Sequence, residues 1–229
     1  MAALRTAQQV NDYVDKCLSW RKKELTTLKF LIEKATPPTQ DVLLRGGVAL
    51  LYAHWEGFVK EVSEAYVDYI SRLGLNYCQL RPNFVALAMR GRISECGGTR
   101  KTSIHLKLVD FFLTEYNGRA QFPREGGINT ESNLRSNVLK EIMVTLGLDF
   151  SLYETEATYI DTHLVDARNS IAHGEPMAPT QKEYKELHQK VIGFIETYRN
   201  QIENATVTGL HLAKPTPPSG DTPNCPASP

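Results

Sequence analysis

Arg168, Asn169 and His173 stand in the run Arg-Asn-Ser-Ile-Ala-His, and Gly174 follows at once. An imidazole takes or gives a proton near neutral pH. A guanidinium holds phosphate with a planar fork of donors and keeps its charge. An amide side chain both donates and accepts, so it can orient a neighbour or a substrate. Transfer at a phosphodiester needs a proton shuttle and a partner for the negative charge that grows in the transition state. The run supplies both, but with a single imidazole per chain. Two copies facing one another across a two-fold axis would bring two histidines and two arginines, so the grouping makes more chemical sense in a dimer. A structural reading fits the same residues. A cation at a helix C-terminus is favoured by ~0.3–1 kcal/mol, and Arg168 can pair at the surface with Asp161 or Asp166.

These residues need a helix end to gather them. From Tyr159 onward, Ile160, Leu164, Ala167 and Ile171 recur at three- and four-residue steps, which stack one apolar face. Gly174 then stops the helix, because glycine accepts the left-handed conformation that closes a last turn. Asp41 to Leu73 reads as a long helix with the largest apolar and aromatic surface in the chain. Val48, Leu51, Trp55, Phe58, Val62, Tyr66 and Ile70 mark its stripe and Gly74 its end. It is the expected spine. Gly46-Gly47 lies within it and implies either a close helix approach or a break before Val48. On this helix His54 and Glu56 lie two apart and point to different faces, so they are no metal pair of the helical His-Glu-x-x-His type. Glu56 stands four before Lys60, the favourable order for a surface ion pair of ~0.2–0.5 kcal/mol.

The remaining helices follow from the same periodicity. Ala3 to Lys34 is a helix with Val10, Val14, Leu25 and Leu28 inward; its basic run Trp20 to Lys23 fits a solvated face or a nucleic-acid contact. Thr36-Pro37-Pro38-Thr39 ends it. Thr102 to Tyr116 and a segment faced by Leu134, Val138, Ile142 and Leu146 are helical, the latter capped by Thr130 or Ser132 and closed by Gly147. Thr180 with Glu183 forms a capping box for a last helix to about Asn204. Asn76 to Thr102 reads as irregular, with a short helical patch after Pro82. Arg90, Arg92, Arg100 and Lys101 cluster there among glycines, and this local surplus of charge is the candidate for contact with an RNA backbone. A solvated loop fits it equally.

Composition bounds the rest. Lys plus Arg and Asp plus Glu both number 26, so a globally basic field for nucleic acid is excluded and any such contact must be local. Cys17, Cys78, Cys96 and Cys225 are scattered without metal-ligand spacing, which reads as reduced thiols in a cytoplasmic protein and no metal site. No run is long and apolar enough to span a membrane, and no secretory signal opens the chain. From about Thr206 the composition turns to Pro, Thr, Ser and Gly, and Lys214 to Pro229 is expected to be disordered. No run alternates as a sheet would. The fold class is all-α: an antiparallel helical bundle with short inserted helices and a disordered C-terminal tail.

Three ordered stretches carry a resemblance. Arg168 to His173 resembles the R-x(4–6)-H signature of the HEPN superfamily, with Asn169 at a place often held by Asn, Asp or His. Leu50 to Lys60 (LLYAHWEGFVK) resembles the long helix of the RiboL-PSP-HEPN family, and Ser132 to Leu148 the segment that precedes its motif. The likeness spans roughly Gln40 to Asn200. It implies a single HEPN-like helical domain over residues 1–204, with a Pro-rich tail over 205–229. It further implies a metal-independent endoribonuclease without cofactor, in which the RNA 2′-hydroxyl attacks the adjacent phosphate. Arg168, Asn169 and His173 would be catalytic in a composite site of a homodimer, and Glu56 would support them. A toxin or defence role, with a possible antitoxin protein as partner, is also implied. HEPN domains occur as non-catalytic nucleotide- or RNA-binding and dimerisation modules too, and that is the competing reading.

Overall fold

The computed structural model describes residues 3–123, 126–177 and 179–214. Two long helices open the chain, α1 (Ala7–Lys34) and α2 (Thr39–Arg72). Short helices follow: α3 (Pro82–Ala88), α4 (Arg90–Gly97), and α5 (Thr102–Asp110), which widens into a π-helical turn over Phe111–Glu115. Next come α6 (Ser136–Leu146), α7 (Ser151–Glu154), α8 (Ala157–Tyr159), a π-helical stretch Ile160–Asp166, and α9 (Ala167–Ala172). The last helix is α10 (Gln181–Val207). No strand is present among the described residues, only the isolated bridges Asn76 to Arg119 and Leu80 to Leu212. The fold is the expected all-α bundle.

Local chemistry sets the helix ends. Thr6 and Thr180 each accept from the backbone N–H three residues on, and Gln9 and Glu183 reach back, so both long outer helices start in capping boxes. Gly147 and Gly174 close α6 and α9 with φ of 70° and 80°. The start of α6 differs from expectation. Neither Thr130 nor Ser132 caps it; Asp161 does, by accepting from the Ser136 N–H and hydroxyl at 2.7 Å each. Tertiary structure supplies what the local sequence was expected to.

α1, α2 and α10 pack on one another, and α2 is the spine. Its Trp55 is fully buried among Tyr153, Phe194 and Tyr198, with ring centroids 6.0–6.4 Å apart. Burying an indole of this size contributes about 4–6 kcal/mol before entropy is counted. The Ser63 hydroxyl lies 2.6 Å from the Tyr198 hydroxyl and joins α2 to α10 inside the core. α2 runs unbroken through Gly46-Gly47, and close approach is the reason: a Cβ on Gly47 would stand 2.6 Å from the Tyr184 ring. Gly46 has open space beside it.

The basic run on α1 is not a bare solvated face. Arg21 is buried, pairs with Glu61 at 2.7 Å and donates to the Cys17 carbonyl; Lys22 pairs with Glu196 of α10. Trp20 lays an edge on the buried His54. The segment after Asn76, expected to be irregular, is largely helical. Beyond Asn204, α10 continues to Val207, and the chain then turns back so that the Arg81 N–H donates to the His211 carbonyl at 2.9 Å. The expected tail beyond Lys214 lies outside the described residues. Cys17 and Cys96 are free thiols. Among the described residues no helix is long and apolar enough to cross a membrane.

His211 gives the fold a dependence on pH. Its ring is buried edge-on to Tyr66 and Tyr69, and burial pushes its pKa down to about 4. The unfolded chain takes up this proton near the ordinary value of about 6.5, so between those values the unfolded state binds more protons. Stability is therefore full above that value and falls as pH drops toward 4, by up to about 3 kcal/mol. Denaturant midpoints measured from pH 7 to 4.5 should decline, and His211→Phe should flatten the decline. An unchanged slope in that variant would remove His211 from the account.

Candidate functional site

The motif sits where α9 meets α2. A π-helical stretch, Ile160–Asp166, feeds directly into α9. Its wide turns bring positions five apart onto one face. Ile160 and Val165 are accordingly both buried, and Val165 is a core residue that the three- and four-residue pattern does not pick out. Such widened turns recur at functional sites. α9 then presents Arg168 and Asn169, half-buried, and ends on His173, which is exposed with φ −83° and ψ 2°. This sparsely populated backbone region is one where active-site residues are often found.

Arg168 makes no ion pair with Asp161 or Asp166. Asp161 is committed to capping α6, and Asp166 pairs with Arg135. The Arg168 guanidinium carbon instead lies over the Tyr52 ring of α2, 3.8 Å from its centroid. One end of its fork donates to the Ser132 carbonyl at 3.1 Å and, more weakly, to Asn133 Oδ1 at 3.5 Å. Asn169 Nδ2 donates to the same Asn133 Oδ1 at 3.3 Å. Arg168 and Asn169 are thus gathered on one acceptor. His173 follows Asn169 by four residues, hence one turn further along the same side. Its N–H donates to the Asn169 carbonyl at 2.9 Å.

Glu56 lies one turn beyond Tyr52 on α2, so both face the motif helix. Its Oε1 is buried and accepts no hydrogen bond among the described residues, and the pairing with Lys60 is not formed. Arg168 Nε is buried without an acceptor as well. Burial pushes the Tyr52 hydroxyl above its ordinary range; the Leu134 N–H opposes that shift, the Glu56 charge adds to it and Arg168 opposes it.

The imidazoles sort clearly. His54, His188 and His211 are buried, and burial lowers the pKa of each. His105 bonds the Thr99 carbonyl, and His163 stacks on Tyr159 while bonding Thr162. Among the described residues the exposed His173 ring is the one imidazole with neither a ring contact nor a hydrogen bond to side chain or backbone. It is open to a substrate or to a second copy of the chain. No group of three or more His, Cys, Asp or Glu side chains could hold a metal ion among the described residues.

Of the candidate backbone-binding cations, Arg90 and Arg92 lie on α4, and Arg100 and Lys101 in the connection from α4 to α5. Arg90 donates to the Gly126 and Gly127 carbonyls. Arg92 pairs with Glu115 at 2.7 Å and lies over Phe111. Both are occupied, whereas Arg100 and Lys101 are exposed. Two residues of the site escaped the sequence reading: Tyr52 and Asn133. Tyr52 carries a partial signal, since it lies four before Glu56 on the same face. Asn133 carries none, because its role depends on how the turn before α6 folds.

A family model described as RiboL-PSP-HEPN matches residues 16–204. No curated protein and no solved structure matches the chain.

Proposed function

The chain belongs to the RiboL-PSP-HEPN family, and on that premise we propose that it is an endoribonuclease that cuts RNA without metal at a composite site between two copies. HEPN domains generally serve as ribonucleases or nucleotide-binding modules. The observation that favours the ribonuclease is the contrast within the motif: Arg168 and Asn169 are held in place, while the His173 ring is exposed and unpartnered. A binding module needs the cation and the amide; a free imidazole one turn away is what proton transfer adds.

In this reading the RNA 2′-hydroxyl attacks the adjacent phosphorus, the 5′-oxygen of the next nucleotide leaves, and a 2′,3′-cyclic phosphate forms. His173 of one copy takes the 2′-hydroxyl proton, and His173 of the other gives a proton to the leaving oxygen. Arg168 offsets charge on the non-bridging oxygens, and Asn169 orients the phosphate or His173. Dependence on the 2′-hydroxyl makes the activity specific to RNA over DNA. Glu56 supports Arg168 from α2, and Arg100 and Lys101 contact the RNA backbone. The chain acts in the cytoplasm as a toxin or defence effector, and an antitoxin protein restrains it.

The test is incubation of a total-RNA pool with the protein in chelator, followed by analysis of the ends and sedimentation of the active species. Cyclic-phosphate ends from a sedimenting dimer are expected. Intact RNA, together with nucleotide binding abolished by Arg168→Ala, would instead support the binding module, and an active monomer would remove the composite site.

A further inference from the structure

Tyr52 touches the motif in two ways at once. The face of its ring carries the Arg168 guanidinium at 3.8 Å. Its hydroxyl accepts the Leu134 N–H at 2.7 Å, a buried bond. Leu134 directly follows Asn133, whose Oδ1 takes donors from both Arg168 and Asn169. The turn that delivers these acceptors is strained. Glu131 and Ser132 have φ of 57° and 53°, a left-handed conformation that non-glycine residues rarely adopt. Such a turn persists only when its surroundings hold it. The Glu131 N–H on Asn129 Oδ1 and the Leu134 N–H on Tyr52 are bonds that do so.

We propose that Tyr52 is a positioning residue for the phosphate-holding arginine: its ring sets the plane of the Arg168 guanidinium, and its hydroxyl anchors the turn that grips one end of the fork. The proposal rests on the ribonuclease reading for its consequence, though not for its geometry. A long arginine side chain is otherwise free to rotate, and a fork held against a rigid ring meets the phosphate already oriented. Tyr52 is 4 % exposed and lies beneath the guanidinium, so it acts through Arg168 and not on RNA directly.

Two measurements on the full chain test this. The first is the side-chain Nε–Hε resonance of Arg168 in an ¹⁵N-labelled protein, identified by its absence in Arg168→Lys. Stacking on the ring shifts that proton upfield, and burial of Nε slows its exchange. Both features should persist in Tyr52→Phe and vanish in Tyr52→Leu. The second is steady-state cleavage. Tyr52→Leu should lower kcat by about 10–100-fold, the scale on which small misplacement acts, with KM little changed. Tyr52→Phe, which keeps the ring but removes the anchor of the turn, should recover only part of that loss. If Tyr52→Leu does not fold, Tyr52→Met fills the same space without a π face and takes its place. An unmoved Arg168 resonance, or wild-type kcat in the Leu variant, overturns the proposal. A wild-type chain that cuts no RNA overturns the ribonuclease reading instead, and the resonance alone then decides whether Tyr52 holds Arg168.

Discussion

His173→Ala is expected to lower RNA cleavage by about 10²–10⁴-fold, the range for removal of a positioned acid or base. The fold should be untouched. The ring is exposed and has no side-chain partner among the described residues, and substitutions at such places usually change stability by less than about 0.5 kcal/mol. A large kinetic effect with a flat stability effect is the signature to look for. In a dimer the variant carries a second signature. Mixed with an Arg168→Ala chain, it would form hybrids that hold one intact member of each pair. Cleavage rates of the two variants and their mixture, on one labelled RNA, measure both. A His173→Ala chain as active as wild type would end the catalytic assignment.

Arg168→Ala is expected to cost about 10²–10³-fold in kcat, as loss of one stabiliser of developing oxyanion charge does elsewhere. Unlike the histidine variant it should also lower stability. The guanidinium stacks on a buried ring and bonds the Ser132 carbonyl, and a desolvated stack of this kind is worth up to about 2 kcal/mol. Arg168→Lys should not rescue the rate, because an ammonium keeps the charge but loses the planar fork and the stack. Rates must be compared at a temperature where all three chains are folded. Full activity of the lysine variant would mean that charge alone suffices and that the orientation set by Tyr52 is immaterial.

What could be read from the sequence was what is local. Gly174 and Gly147 announced their left-handed caps, and Thr180 with Glu183 its box, because each depends on residues within one turn. The spine was legible because Trp55, Phe58, Val62 and Tyr66 keep one period over many turns. Arg168, Asn169 and His173 were legible as a spaced motif. The failures share a cause. Arg21 is basic and sits beside Lys22 and Lys23, yet Glu61, forty residues on, draws it into the interior. Asp161 replaces Thr130 or Ser132 as the cap of α6 from another element altogether. Asn133 becomes the common acceptor of the site only once a strained turn has folded. In each case a distant partner overrode the local preference, and nothing in the period of the chain announces such a partner.

The widened turns between Ile160 and Asp166 bear on how this chain tolerates insertions and deletions. Each residue of an α-helix advances the direction of its side chain by roughly 100°. The core anchors Ile160 and Leu164 lie within the wide stretch, and Arg168 lies just past it. Losing one residue from that stretch would swing Arg168, Asn169 and His173 together by about a quarter turn, off Tyr52 and Asn133, with the motif itself still intact letter for letter. The spacing from Ile160 to Arg168 is therefore as much a part of the site as the spacing from Arg168 to His173. A related chain that keeps the second spacing but not the first would carry the same letters on a different face of its helix.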